Sequence, residues 1–309
     1  VDPIAGPLDD AAIVRPGFGG RSLVLTIDVI TPIVDDPRAF GGIAAANAIS
    51  DVYAMGGRPE VALGFVGFPN DKLPLDMLRE VLAGMQEVAA RAGCAIVGGH
   101  TIADSEPKAG LAVVGTVDPA HVWSHRSAKV GHVLVLTKPL GTGLVGQSIR
   151  AGTASPELIA AATQQMLALN DVARDVGLEA GASSGTDVTG FGLLGHLRNL
   201  VEASELRAVI DTHEVPFLEG AEELAAAGVV PGGSKRNLSY ASAVTTFDDA
   251  VSAEKRLVLA DAQTSGGLLL CLPEERAEWA VRALHDRGVT RARVIGHLES
   301  GPAAIRVRP

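Results

Sequence analysis

Along this chain, apolar runs of strand length alternate with stretches of helical periodicity. RSLVLTID is a strand that delivers Asp28 at its C-terminal end. A helix follows from about Asp36 to Met55, with Ile43, Ala46 and Ile49 on one stripe and Gly56-Gly57 closing it. EVALGFVGFP is the next strand, and its unbroken apolar character predicts burial on both faces. Residues 75–92 form an amphipathic helix that leads into the strand CAIVGGH, and GLAVVGTV ends the first half. LDDAAIV, near the start, has the same strand-like pattern. DPAHVWSHRSAKVG has turn residues and no apolar period, so the domain boundary falls near 118–131. We therefore expect one domain over 1–118 and a second over 119–309.

The second half opens with the strand HVLVLTKP and a pair of helices over roughly 143–151 and 155–177. A helix beginning at about Phe191 runs to Glu202, and RAVIDT is a strand. VPGGSKRN has the composition of a loop. SGGLLLCLP is a strand, 274–287 a helix, and RVIGHLES and AAIRVRP are closing strands. Strands and helices are mixed in both halves, which places the fold in the α+β class, as two mixed α/β domains.

Composition narrows the function. The 309 residues are 47% hydrophobic and 20% charged, an ordinary globular balance. Aromatics make up only 4% and the net charge is -10, which argues against a nucleic-acid partner. No 18-residue apolar run predicts a membrane span, and no signal peptide opens the chain. Cys94 and Cys271 sit in apolar runs without a neighbouring Cys or His at metal-site spacing. We expect them buried and reduced, as in a cytoplasmic protein. The chain begins at Val1 without Met, and a further segment is expected upstream.

The chemistry lies in aspartates beside glycine, serine or threonine at the edges of apolar runs. These are Asp9 and Asp10 in LDDAAIV, Asp28 in LTIDVITP, Asp51 in NAISDVYAMGG and Asp187 in TDVTGFG. Carboxylates in such positions point into a cleft, and several converging ones repel unless a cation lies between them. Hard oxygen donors of this kind suit Mg²⁺ bridged to substrate phosphates. GTGLVG, from Gly141 to Gly146, matches a dinucleotide-binding spacing, but helical sequence stands where the required acidic residue would be, so it reads as a helix start. No Walker-type phosphate loop occurs. VGGHT, from Val97 to Thr101, reads as a turn after a strand, and QTSGGL has the same character. Asp187 and Thr189 stand where a helix N-cap is expected. His100, His196 and His297 show no metal-site spacing and read as surface or core residues, with His100 in a candidate ligand turn. Asp35, Asp36, Asp248 and Asp249 read as caps or loop charges.

NAISDVYAMGG, VGGHT, TKPLGTG, TDVTGFGLLGHL, VPGG-x-x-RN and QTSGGLLL occur in this order over nearly the whole chain. In this combination the sequence resembles the selenophosphate synthetases, or selenide, water dikinases. Their wider superfamily includes aminoimidazole ribonucleotide synthetase, thiamine monophosphate kinase and a hydrogenase maturation factor. The resemblance implies a homodimer whose N-terminal domains join their sheets into a shared barrel. It implies ATP in the cleft between domains, bridged by several Mg²⁺ ions, with K⁺ as a further candidate cation. Asp10, Asp51 and Asp187 would ligate metal. Asp9, Asp28, Asp51, Gly99, His100 and Thr101 would hold the nucleotide. The implied reaction converts ATP, selenide and water into selenophosphate, phosphate and AMP. The family's catalytic Cys or selenocysteine and its essential Lys are expected upstream of Val1, and no catalytic residue is assigned within the chain. A superfamily kinase or ligase releasing ADP, and a non-catalytic nucleotide-binding paralogue, are the alternatives.

Overall fold

A computed structural model describes residue 6, residues 9–15 and residues 20–309. Leu8 of the expected LDDAAIV strand lies outside them. The first half contains β1 (Ala12–Val14), β2 (Ser22–Ile30), α1 (Pro37–Ala54), β3 (Arg58–Phe68), α2 (Leu75–Arg91), β4 (Ala95–Ala103) and β5 (Lys108–Val117). Its sheet has the order β1-β2-β5-β3-β4. Only β3 and β4 pair in parallel.

Helix α1 is the spine of the molecule. Asp36 caps it by accepting the Ala39 N–H, and Pro37 occupies its first turn, where no backbone donor is needed. The expected stripe of Ile43, Ala46 and Ile49 understates its burial, which extends around the helix from Phe40 to Ala54 with one gap, at Asp51. The reason is tertiary: α1 packs on β2, β3 and β5, on α2, and on elements of the second half. Two glycines permit the approach of α2. A Cβ on Gly41 would lie 1.9 Å from the Val81 carbonyl oxygen, and one on Gly84 would lie 1.9 Å from that of Arg38.

The other face of this sheet is open. Ile27 is 70% exposed, Val97 66% and Leu63 52%. The expected burial of β3 on both faces is therefore wrong for the single chain, because no element among the described residues covers the face that carries Val61 and Leu63. VGGHT also departs from expectation. It continues β4 instead of forming a turn, since residues 98–103 keep pairing with β3.

The second half contains β6 (His132–Leu136), α3 (Thr142–Arg150), α4 (Pro156–Leu167), α5 (Asp171–Ala180), β7 (Ser184–Asp187), α6 (Gly192–Ser204), β8 (Leu206–Asp211) and α7 (Ala221–Ala226). It continues with α8 (Gly232–Ala241), β9 (Thr245–Phe247), α9 (Ala253–Leu259), β10 (Leu268–Pro273), α10 (Glu274–Asp286), β11 (Arg293–Ser300) and β12 (Ala304–Arg308). The sheet order is β7-β10-β6-β11-β8-β12-β9. Helices α5 and α10 pack on β10 and β6, and α6 packs on β8 and β12.

Three expectations need correction here. The single helix expected over 155–177 is broken between α4 and α5. Asn170 turns the chain by donating through Nδ2 to Ser50 Oγ and to the Gly266 carbonyl, both at 2.9 Å. VPGGSKRN begins helix α8 instead of forming a loop, and Ser234 anchors that helix by donating to Asp261 at 2.7 Å. Asp187 ends strand β7, and Phe191 stands at the cap position of α6, so neither Asp187 nor Thr189 caps the helix.

The reading of GTGLVG as a helix start agrees with α3. Its N-terminus is already filled by the chain's own acceptors. Asp261 Oδ2 accepts from Gly143 N at 3.0 Å and Leu144 N at 3.2 Å, and Gln263 Oε1 accepts from Gly141 N at 3.0 Å. No donor of that turn is left for a phosphate.

Candidate active site

The two halves meet at a cavity of about 560 Å³ whose lining includes Asp9, Asp10, Asp28, Asp51 and Asp187. Each carboxylate arrives on a different element. Asp10 lies in the bend before β1, Asp28 on β2, Asp51 in the last turn of α1, and Asp187 at the end of β7. Strand and helix ends bring polar side chains to the rim of the core, where an apolar run stops.

The electrostatics are those of a site short of positive charge. Burial, reinforced by Asp187 and Asp10, raises the pKa of Asp51 well above the usual carboxylate range. Burial and the neighbouring Asp10 push Asp187 up to about 8. Burial also raises Asp28, opposed by the Val29 N–H and the Asn47 amide. Among the described residues, Asp10 Oδ2 and Asp187 Oδ2 are buried without a hydrogen-bond partner. Buried carboxylate oxygens are ordinarily paired, and leaving them orphaned costs about 1–3 kcal/mol each. Atoms of Asp10, Asp187 and His196 lie within 4.8 Å of one another. Carboxylates this close, each with an orphaned buried oxygen, fit a divalent cation.

Neutral donors steady the cluster. Thr26 Oγ1 donates to Asp51 Oδ2 at 2.5 Å, and Asn47 Nδ2 donates to Asp28. His125, on the connection between the halves, is buried with Nε2 3.7 Å from Asp10 Oδ2 and Nδ1 3.6 Å from Asp9 Oδ1. Burial opposes its protonation, but the carboxylates of Asp10, Asp9 and Asp187 outweigh it and raise the His125 pKa. Burial drives His196 down to about 4, so its ring is neutral. Lys138 is buried near Asp187 and donates to the carbonyls of Ala168 at 2.7 Å and Ser265 at 3.0 Å. Burial lowers its pKa to about 7 against the pull of Asp187 and Asp171.

Among the residues expected at a site, Asp10, Asp28, Asp51 and Asp187 converge. Asp9 also lines the cavity, but its oxygens accept from Gly6 N, Ser124 Oγ and His125 N, each at 2.8 Å, and so hold the inter-domain turn. Gly99, His100 and Thr101 lie on the exposed edge strand β4 and do not line this cavity. His196, expected to be a surface or core residue, does line it. Thr26, Asn47, His125 and Thr186 were not singled out in the sequence. Asn47 precedes Asp51 by one helical turn in an otherwise apolar helix, and that spacing was the available signal. Nothing in the spacing of His125 or His196 marks them. Cys94 and Cys271 are buried and free, as expected.

Comparisons with known proteins identify the family and the fold. Residues 8–117 match the AIR synthase related protein, N-terminal domain, and residues 129–307 match the AIR synthase related protein, C-terminal domain. A selenide, water dikinase of Myxococcus xanthus is 46% identical over 301 residues, covering 97% of this chain and 85% of that protein. A selenide, water dikinase of Carboxydothermus hydrogenoformans is 43% identical, covering 93% of this chain and 82% of that protein. Among solved structures, hydrogenase maturation protein HypE superposes with a TM-score of 0.72 at 25% identity, covering 98% of this chain and 89% of that one. Thiamine monophosphate kinase from Aquifex aeolicus superposes with a TM-score of 0.70 at 18% identity, covering 97% and 93%. HypE has also been solved in complex with ATP, and that structure superposes with a TM-score of 0.72 at 23% identity, covering 99% and 86%. No helix among the described residues is long and apolar enough to cross a membrane.

Proposed function

The chain belongs to the AIR synthase related family and, within it, to the selenide, water dikinases, and we propose that the cavity between its halves is where it handles ATP. The activity is ATP-dependent synthesis of selenophosphate. Two phosphoanhydride bonds of ATP break in the overall reaction. One phosphoryl group ends on selenium, the other on a water oxygen, and AMP remains.

The observation that carries the site assignment is the convergence of Asp10, Asp51 and Asp187 on one cavity, with Asp10 Oδ2 and Asp187 Oδ2 buried and without partners among the described residues. We assign these three as the ligands of Mg²⁺, which when bound supplies charge neutralisation and a template for in-line displacement at phosphorus. ATP brings roughly four further negative charges, so the nucleotide and the carboxylates are compatible only with cations between them. Asp28, held by Asn47, faces the same cavity and is assigned to the nucleotide and its ions. The first half, over 1–118, thus provides Asp10, Asp28 and Asp51, and the second, over 119–309, provides Asp187. Cys94 and Cys271 take no part in this reading. Burial pushes their thiols up to about 11 and about 12, away from a reactive thiolate.

We further propose a homodimer formed through the open sheet face. Leu25, Ile27, Val29, Val61, Leu63 and Val97 make that face apolar, and its burial by a second copy removes them from water. Gly99, His100 and Thr101 lie on the same sheet, so their assignment to nucleotide requires a contact made across the paired sheets. Two buried free thiols fit a reducing compartment, and we place the protein in the cytoplasm.

The test is phosphorus NMR on the full-length protein incubated anaerobically with ATP, Mg²⁺ and selenide. A selenium-coupled phosphorus signal appearing with AMP and phosphate is the expected result. Release of ADP without a selenium-coupled signal would overturn it.

A further inference from the structure

Asp10 sits in the bend before β1, and its Oδ2 has no hydrogen bond among the described residues. What aims its carboxylate comes from the other half of the molecule. Thr186 Oγ1 donates to Asp10 Oδ1 at 2.9 Å. Thr186 lies on β7, held by its pairing with Leu269 of β10, and directly precedes Asp187. One short strand therefore carries one carboxylate of the cluster and the hydroxyl that orients another.

A threonine hydroxyl has a single proton, and Thr186 has a second acceptor within reach, the Asp187 carbonyl at 3.1 Å. The carboxylate is the shorter and the charge-assisted choice. His196 removes the remaining freedom. Its Nε2 accepts the backbone N–H of Thr189 at 3.1 Å. A neutral imidazole that accepts at Nε2 carries its proton on Nδ1. That nitrogen lies 3.4 Å from Thr186 Oγ1. The Nδ1–H thus occupies a lone pair of the hydroxyl oxygen and leaves the hydroxyl proton to Asp10. Neither ring nitrogen retains a lone pair for a cation, although the ring lies within 4.8 Å of the carboxylate atoms.

We propose that His196 and Thr186 form a positioning relay, running from the Thr189 N–H through the imidazole and the hydroxyl to Asp10 Oδ1, and that His196 stays outside the coordination sphere. The relay holds Asp10 in its metal-binding orientation, as outer hydrogen bonds orient metal ligands elsewhere. It rests on the assignment of Asp10 and Asp187 to a divalent cation.

The test uses Mn²⁺ alone as the probe, with its affinity read from the free-ion electron paramagnetic resonance signal. Thr186→Val keeps the shape of the side chain and removes the hydroxyl, whereas Thr186→Ser keeps the hydroxyl. The expected result is Mn²⁺ binding weakened about 10-fold or more by Thr186→Val and nearly unchanged by Thr186→Ser. His196→Leu should weaken binding to a similar extent. The double variant should be no weaker than either single one, because both break the same relay. Pulsed measurements on bound Mn²⁺ in the wild type should show no directly coordinated imidazole nitrogen. Such a nitrogen signal, lost in His196→Leu, would make His196 a ligand and overturn the proposal. Equal affinities for the Val and Ser variants would overturn it too, while leaving the metal site standing. A wild type that binds no Mn²⁺ would remove the site itself. The Val and Ser comparison decides the matter even if His196→Leu fails to fold.

Discussion

Asn47 Oδ1 accepts the backbone N–H of Ser265 at 2.8 Å and so joins the central helix of one half to a loop of the other. The same side chain donates to Asp28 through Nδ2. Ser265 has a φ of 48°, in the left-handed region that a residue with a Cβ disfavours. That conformation costs about 1–3 kcal/mol, and it persists because Asn47 and Lys138 hold the peptide from either end. A helix residue one turn before Asp51 thus sets both a cleft carboxylate and the QTSGG loop.

Asn47→Ala is expected to release that loop. The Ser265 N–H would lose its partner, and stability should fall by about 1–3 kcal/mol. Asp28 would lose its donor, so ATP affinity should fall with it. Urea denaturation and ATP binding isotherms check both. Wild-type stability would show that the loop is held without Asn47, and wild-type affinity that Asp28 does not need its amide.

Asp187→Asn is expected to separate stability from activity. In the absence of metal it relieves the repulsion with Asp10 and leaves the fold as stable as the wild type or more so. Turnover should drop by about three orders of magnitude, as the loss of several kcal/mol of charge stabilisation at phosphorus requires. Asp51→Asn should behave alike. Thermal melts in EDTA and selenide-dependent AMP release measure the two effects.

Stability should depend on pH in a way that Mg²⁺ reverses. Asp187 is raised from 3.8 to about 8, chiefly by burial and then by Asp10. A carboxyl with a raised folded pKa contributes stability that is complete below its unfolded pKa and is lost as pH climbs through the folded value. Without a divalent ion, this cluster should therefore lower stability progressively between those two values. Bound Mg²⁺ takes the place of the protons, so the stabilisation it confers should grow over the same interval. Thermal shifts with and without Mg²⁺ at about pH 6 and about pH 8 test the sign. A smaller Mg²⁺-induced shift at the higher pH would contradict it.

Ile27→Asp is expected to make the protein monomeric. Ile27 stands 70% exposed in the middle of the open sheet face. A carboxylate there would have to be buried unpaired in a dimer, at a cost of several kcal/mol. Sedimentation equilibrium reads the mass directly. If the variant sediments as the wild type does, the two copies, if any, meet elsewhere.

Much of this protein is legible in the sequence because local patterns carry it. The boundaries of α1 follow from Asp36, Pro37 and the glycines after Met55, since capping and helix termination act within a turn of the residue concerned. The strands HVLVL and LLLCLP, and the placement of Asp28, Asp51 and Asp187 at element ends, follow from where apolar runs stop. The ordered motifs likewise suffice to identify the family. What the sequence alone does not decide is set by groups far apart in the chain. The break between α4 and α5 is made by Asn170 bonding to Ser50 and Gly266. Helix α8 is anchored by Ser234 on Asp261, and VGGHT remains a strand because β3 lies beside it. His196 reaches the site from α6, where its two nitrogens meet Thr189 and Thr186 of other segments. A side chain's hydrogen-bond partners depend on distances in space, and periodicity along a chain encodes only the neighbours one or two turns away. Convergence of the carboxylates, and the donors that aim them, is therefore the contribution of the tertiary structure.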